Sequence, residues 1–60
     1  MKVYIVKKVF EYIDTEKVKN VYSSYAKAER YIKENGNKAG NTYYDESGLA
    51  YYVIEDMEIL

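Results

Sequence analysis

The sequence predicts an α+β domain: a small antiparallel sheet of three to four strands with one helix packed on one face, in the order β-β-α-β-β. Three observations carry that expectation. β-Branched and aromatic residues crowd both ends of the chain, from Val3 to Ile13 and from Thr42 to Ile59. Apolar residues recur at helical spacing only in the middle. Turn-forming residues stand between these blocks at Asp14-Thr15-Glu16, Asn35-Gly36 and Asp45-Glu46-Ser47-Gly48.

Val3 to Val6 and then Val9 to Ile13 read as one long first strand. After the polar turn, Lys17 to Tyr22 alternates. Val18 and Tyr22 fall on one side, and Lys17, Lys19 and Val21 on the other, as a second strand antiparallel to the first. Ser23 or Ser24 can cap a following helix, because a serine hydroxyl accepts from an otherwise unpaired backbone N–H. The helix runs from Tyr25 to Asn35, with Ala28, Tyr31, Ile32 and Asn35 on one side. Gly36 is expected to end it in the left-handed conformation. Asn37 to Asn41 reads as a loop. Thr42-Tyr43-Tyr44 and Ala50 to Ile54 then form a hairpin in which Gly48 takes a positive φ. The last strand extends toward Ile59, and its apolar phase changes across Glu55-Asp56, where a β-bulge would reconcile it.

Sixty residues make a single domain, 1–60, which reads as a complete small protein. A domain of this size is marginal and commonly leans on a staple or a partner. With no Cys and no His the chain lacks disulfides, thiolate and imidazole metal ligands, and the commonest general base. The carboxylates Asp45-Glu46 and Glu55-Asp56-Glu58 read as a turn and a strand end, since neighbouring strand residues point to opposite faces. Gly36, Gly40 and Gly48 match no phosphate-binding fingerprint. The expectation is a protein that is not an enzyme and takes no cofactor or metal. No leader peptide or membrane-spanning run is visible, which points to the cytoplasm and away from a membrane.

Nine Tyr and one Phe, with no Trp, are the compositional signature. Tyrosine combines a large apolar ring with a hydroxyl that needs water or a partner, so it suits half-buried faces and interfaces. One helix covers one face of a sheet, yet both faces of the strands carry large apolar groups. Strand one offers Val3, Ile5 and Val9 on one side, and Tyr4, Val6, Phe10 and Tyr12 on the other. An uncovered aromatic face is a docking surface. The expected anchors are Tyr4, Phe10, Tyr12, Tyr22, Tyr43 and Tyr52, holding a protein partner or a second copy in a homodimer. A second reading is a single-stranded nucleic-acid binder using Lys7, Lys8, Lys17 and Lys19 beside aromatic rings. Against it stands a net charge of −1. A third reading takes the acidic C-terminal half as a DNA-mimic inhibitor; Met1–Lys33 holds eight Lys/Arg and four Asp/Glu, whereas 34–60 holds one Lys and six acids.

Asn20-Val21-Tyr22-Ser23-Ser24-Tyr25-Ala26-Lys27-Ala28-Glu29-Arg30-Tyr31-Ile32 is similar to a segment of small proteins from bacteriophages and Gram-positive bacteria, where a strand ending "VFSS" enters a helix of the form "EKAEEYI". The closing Tyr51-Tyr52-Val53-Ile54-Glu55-Asp56-Met57-Glu58-Ile59 resembles their terminal "YYIEEFEL" strand. Ala26 stands where that pattern often has Glu, which removes a capping-box partner for Ser23. The resemblance carries no active site; it implies a phage or prophage setting, in which small proteins bind and inhibit host proteins, defence components among them. Tyr44-Asp45-Glu46 through Tyr51 to Glu55 also looks like the second hairpin of the immunoglobulin-binding domains of protein G, without its Trp. That likeness implies fold only.

Overall fold

A computed structural model describes Met1–Ile59. The strands are β1 (Lys2–Phe10), β2 (Thr15–Tyr22), β3 (Asn37–Ala39), β4 (Thr42–Tyr44) and β5 (Tyr51–Glu58), and the helix α1 (Tyr25–Asn35) joins β2 to β3. All pair antiparallel in the order β2-β1-β5-β4-β3, so the two chain ends meet in the middle of the sheet. The α+β class and the single helix follow the sequence reading, while the sheet has five strands where three to four were expected.

β1 ends at Phe10. The last β1–β2 pair, Phe10↔Thr15, leaves four residues to reverse the chain. They do so as a 3-10 turn, Glu11–Ile13, closed by Asp14 in the left-handed region at φ 50. Loops of this length are built around helical turns, and Asp is among the residues that tolerate a positive φ. The expected first strand was therefore too long by three residues, and Tyr12 leaves the sheet.

The expected bulge in β5 is absent, because β5 keeps register with β1 from Lys2↔Glu58 to Val9↔Tyr51. The irregularity lies on the other side of β1, between Val6↔Asn20 and Lys7↔Val18, where Lys19 is the extra residue. A bulge flips the face of everything beyond it. As a result Val18 and Val21 share one face, opposite Lys7 and Ile5, and the alternation read from the sequence for this strand is corrected.

α1 starts at Ser24, whose Oγ accepts from the Lys27 N–H at 3.2 Å. It ends at Gly36, which is extended (φ −105, ψ 161) and not left-handed as expected. Glycine is needed there for space. A Cβ would stand 2.9 Å from the Ile32 carbonyl oxygen and 3.1–3.2 Å from Tyr43 and Tyr52, so the chain leaves the helix pressed against β4 and β5. Asn37–Ala39, expected as loop, pairs instead with Thr42–Tyr44 across a two-residue turn in which Gly40 has φ 64. β4 pairs with β5 at Tyr44↔Tyr51, and beyond that pair the Asp45 N–H donates to the Ala50 carbonyl at 2.9 Å, so the expected β4–β5 hairpin is present but short. Gly48 does take its expected positive φ, at 75.

The core is small. Val6, Ala28 and Ile32 form its buried centre between β1 and α1, and Tyr4, Tyr22, Tyr31, Tyr43, Tyr52 and Ile54 pack around it, half-buried. A hydroxyl-bearing ring suits this shell, since its apolar body lies inward while its oxygen stays near water. Rings meet edge to face at Tyr4–Tyr25 (5.8 Å) and Tyr31–Tyr52 (6.1 Å). Among the described residues no helix is long and apolar enough to cross a membrane.

Candidate interaction surfaces

Residues directly opposite in an antiparallel pair share a face. Applied to the register, this rule sorts the sheet cleanly. The face under α1 carries Tyr4, Val6, Lys8 and Phe10 of β1, Tyr22 of β2, Tyr43 of β4, and Tyr52 and Ile54 of β5. The opposite, open face carries Val3, Ile5, Lys7 and Val9 of β1, Val18 and Val21 of β2, Tyr44, and then Tyr51, Val53, Glu55 and Met57 of β5.

The six aromatic anchors read from the sequence are thus not one uncovered face. Tyr4, Tyr22, Tyr43 and Tyr52 are packed against the core under the helix. Phe10 lies on the same side beyond the helix, with the ammonium groups of Lys8 and Lys17 5.9 and 6.0 Å from its ring centre. Tyr12 projects from the 3-10 turn and is 65% exposed, apart from the other five. Both faces of β1 look apolar in sequence, and only the position of the bulge and the Ala28–Ile32 stripe decides which one is covered.

The open face has a charged girder. Lys7 hydrogen-bonds to Glu16 on β2 (3.1 Å) and to Glu55 on β5, so one ammonium ties three strands together. Those hydrogen bonds, Glu55 first and Glu16 second, hold the Lys7 pKa above its ordinary value. Glu55 is the cross-strand partner of Ile5, and Lys7 is two residues along the same face, so the bridge passes beside Ile5. Ile5 is buried although, among the described residues, no other element lies over it. Around this centre the apolar rim is open: Val18, Val21 and Met57 are 59, 55 and 47% exposed. None of these three was singled out from the sequence as an anchor.

Lys8 points to the other side and pairs with Asp45 at 3.3 Å, fastening β1 to the segment between β4 and β5. Asp45 is buried, and its carboxylate accepts from the Ser47 Oγ (2.7 Å), the Ser47 N–H and the Gly48 N–H. The Ser47 bonds, helped by Lys8, lower its pKa to about 2 against the cost of burial. For Lys8 burial works against the charge, but the Asp45 bond and neighbouring negative groups outweigh it and the pKa is raised. Tyr52, beside this pair, has its phenol pKa raised by burial. Of the four lysines expected to meet nucleic acid, Lys7 and Lys8 are therefore committed to carboxylates on opposite faces, while Lys17 and Lys19 remain exposed on β2.

Two grooves flank α1. Toward β2 a groove of about 260 Å³ is lined by Tyr22, Lys27, Arg30, Tyr31 and Glu34. Toward β4 and β5 one of about 250 Å³ is lined by Tyr25, Glu29, Ile32, Asn41, Tyr43, Tyr52, Val53 and Ile54. Among the described residues no group of three acidic side chains gathers to hold a metal ion. Comparison with protein-family models, with curated proteins and with solved structures finds no match to this chain.

Proposed function

We propose that this chain is a non-enzymatic protein-interaction module that binds and modulates a host protein, docking it through the sheet face opposite α1. One observation carries the reading: α1 is the only helix longer than one turn among the described residues, and it leaves Val18, Val21 and Met57 standing open beside Val3, Val9 and Val53. An open face with an apolar rim around a few central charges is how docking surfaces are built. The absence of His and Cys from the sequence supports a role without chemistry. The host-directed setting rests on the resemblance of the β2–α1 and β5 segments to small phage and prophage proteins.

The test is affinity capture from a bacterial lysate with the native chain, Val21→Lys and Met57→Lys, all checked by circular dichroism for the native fold. A protein retained by the native chain and lost with both variants supports the reading. Capture that survives both substitutions overturns the choice of face. Light scattering over a dilution series distinguishes a second copy as the occupant, since a homodimer through this face would dissociate in the same two variants.

A further inference from the structure

We propose that the groove between α1 and β2 is a binding site for single-stranded nucleic acid, independent of the open face. The charges of the molecule sort themselves by whether they are paired. Lys2, Lys7, Lys8 and Lys33 each have a carboxylate partner. Lys17, Lys19, Lys27, Arg30 and Lys38 form no ion pair with any described residue; Lys38 stands apart on β3, and the other four stand on β2 or on the helix flank that overlooks it. Lys27, Arg30, Tyr31 and Glu34 recur at i, i+3, i+4 and i+7, which places them along that one flank. Lys27 and Arg30 against the single acid Glu34 leave the groove lining with a positive balance in a chain of net charge −1.

The groove also has rings. Tyr22 and Tyr31 line it, 6.2 Å apart and tilted by 45°; both pack against the core and are only half-buried, so part of each ring is accessible from the groove. Tyr22 is held by the Asn20 amide, which donates to its hydroxyl at 3.2 Å. Lys17 extends the strip along β2 toward Phe10. Between Lys17 and Tyr22 the bulged strand runs beside Lys8 to Tyr4 of β1, four steps or roughly 13 Å, long enough for more than one nucleotide. Rings flanked by cations bind single strands by stacking bases while the cations meet phosphates. Glu34 closes the far end and repels phosphate there, which directs the backbone to the Lys27–Arg30 end.

The experiment is fluorescence anisotropy with a labelled oligothymidylate of about ten nucleotides, titrated at several salt concentrations, with polyphosphate of equal charge as a second probe. Three phosphate contacts on a single strand give a slope of log K against log salt of about −2. Lys27→Gln with Arg30→Gln is expected to weaken binding at least tenfold and reduce that slope by about 1.4. Lys33→Gln, which removes a cation off the groove, is expected to change affinity less than twofold. Tyr22→Leu is expected to weaken oligothymidylate about tenfold and leave polyphosphate unchanged, and Glu34→Gln to strengthen both. No binding at low salt overturns the proposal. So does equal loss in Lys33→Gln and the groove variants, or a silent Tyr22→Leu, since either would reduce the effect to bulk charge. Failure here leaves the open-face reading standing, because Val21→Lys and Met57→Lys lie on the opposite side.

Discussion

The two faces of the sheet solve the same problem by different means. On the helix side, Val6, Ala28 and Ile32 exclude water outright, and a ring of tyrosines seals the margin. On the other side no element among the described residues lies over Val3, Ile5 and Val9, and a lysine is stretched between two glutamates across the sheet. The first solution is apolar and carries the stability of the domain. The second is a salt-bridge network whose carboxylates are about half exposed, and such pairs contribute little net free energy. The comparison teaches that burial and availability are divided between faces: the covered side holds the apolar core, and the open side is crossed by charge while its rim stays exposed.

The division can be attacked first where it predicts the most damage. Ile32→Ala removes a nearly fully buried side chain from a core with few other members, at a cost of about 2–5 kcal/mol. A domain of this length has on the order of 3–9 kcal/mol to lose, so urea or thermal denaturation should show the variant largely unfolded at 37 °C. A two-state curve close to the native one would mean the core lies elsewhere. Asp45→Asn comes next. It removes the charge that Lys8 faces and weakens the turn that Ser47 and Gly48 close, so Tm should fall by several degrees at neutral pH. The pH dependence has a definite sign. The folded pKa of Asp45, about 2, lies below its ordinary 3.8, so its stabilisation is complete above about pH 4 and is lost as pH falls toward 2. The native chain should therefore lose stability across that window more steeply than Asp45→Asn, and equal slopes would show that the carboxylate is not the titrating group. Gly36→Ala follows, with overpacking of about 1–3 kcal/mol as the helix exit is pushed off Tyr43 and Tyr52. Because the φ at Gly36 is ordinary, a null result would mean that the exit can give way without cost.

Much of this arrangement was legible in the sequence, for reasons that can be named. The helix was readable because Ser24, the Ala28–Ile32 stripe and Gly36 agree on its limits. β1 and β5 were readable from β-branched and aromatic runs, and β2 from an alternation whose faces the bulge then changed. What was not readable has a common cause: single backbone events without a residue signature. The bulge at Lys19 has no glycine and no break in composition, yet it decides that Val18 and Val21 share a face. Asp14 in the left-handed region turns Glu11–Ile13 out of the strand although Tyr12 and Ile13 favour one. Asn37–Ala39 is a strand only because the Gly40 turn folds it onto Thr42–Tyr44; its own residues favour turns. The site suffered most from this. Composition identified tyrosine as the material of a half-buried surface, but could not say that most of those rings lie beneath α1. The unpaired Lys27 and Arg30 were visible as the polar side of a helix, and only the fold brings them against Tyr22.

The gentlest intervention is the most discriminating. Lys7→Met keeps the length and apolar stem of the side chain while removing its ammonium from the open face. If the triad were structural, this change would cost as much as a core deletion. Glu16 and Glu55, however, are 55 and 51% exposed and can turn to water when Lys7 is gone, and the methionine adds apolar contact beside Ile5. The expected change in stability is therefore within about 1 kcal/mol in either direction, read from the denaturant midpoint at an unchanged m-value. The same substitution joins Val3 and Ile5 to Val9 and Val53 as one uninterrupted apolar strip, so self-association should rise in light scattering at concentrations where the native chain is unaffected. A loss above about 2 kcal/mol would show that the ionic girder holds the sheet together. A stable variant that gains no tendency to associate would show that the open face is too rugged to dock anything. The two readouts move independently, and only a small stability change together with increased association fits a face that is held in shape by its neighbours and kept apart from its copies by charge.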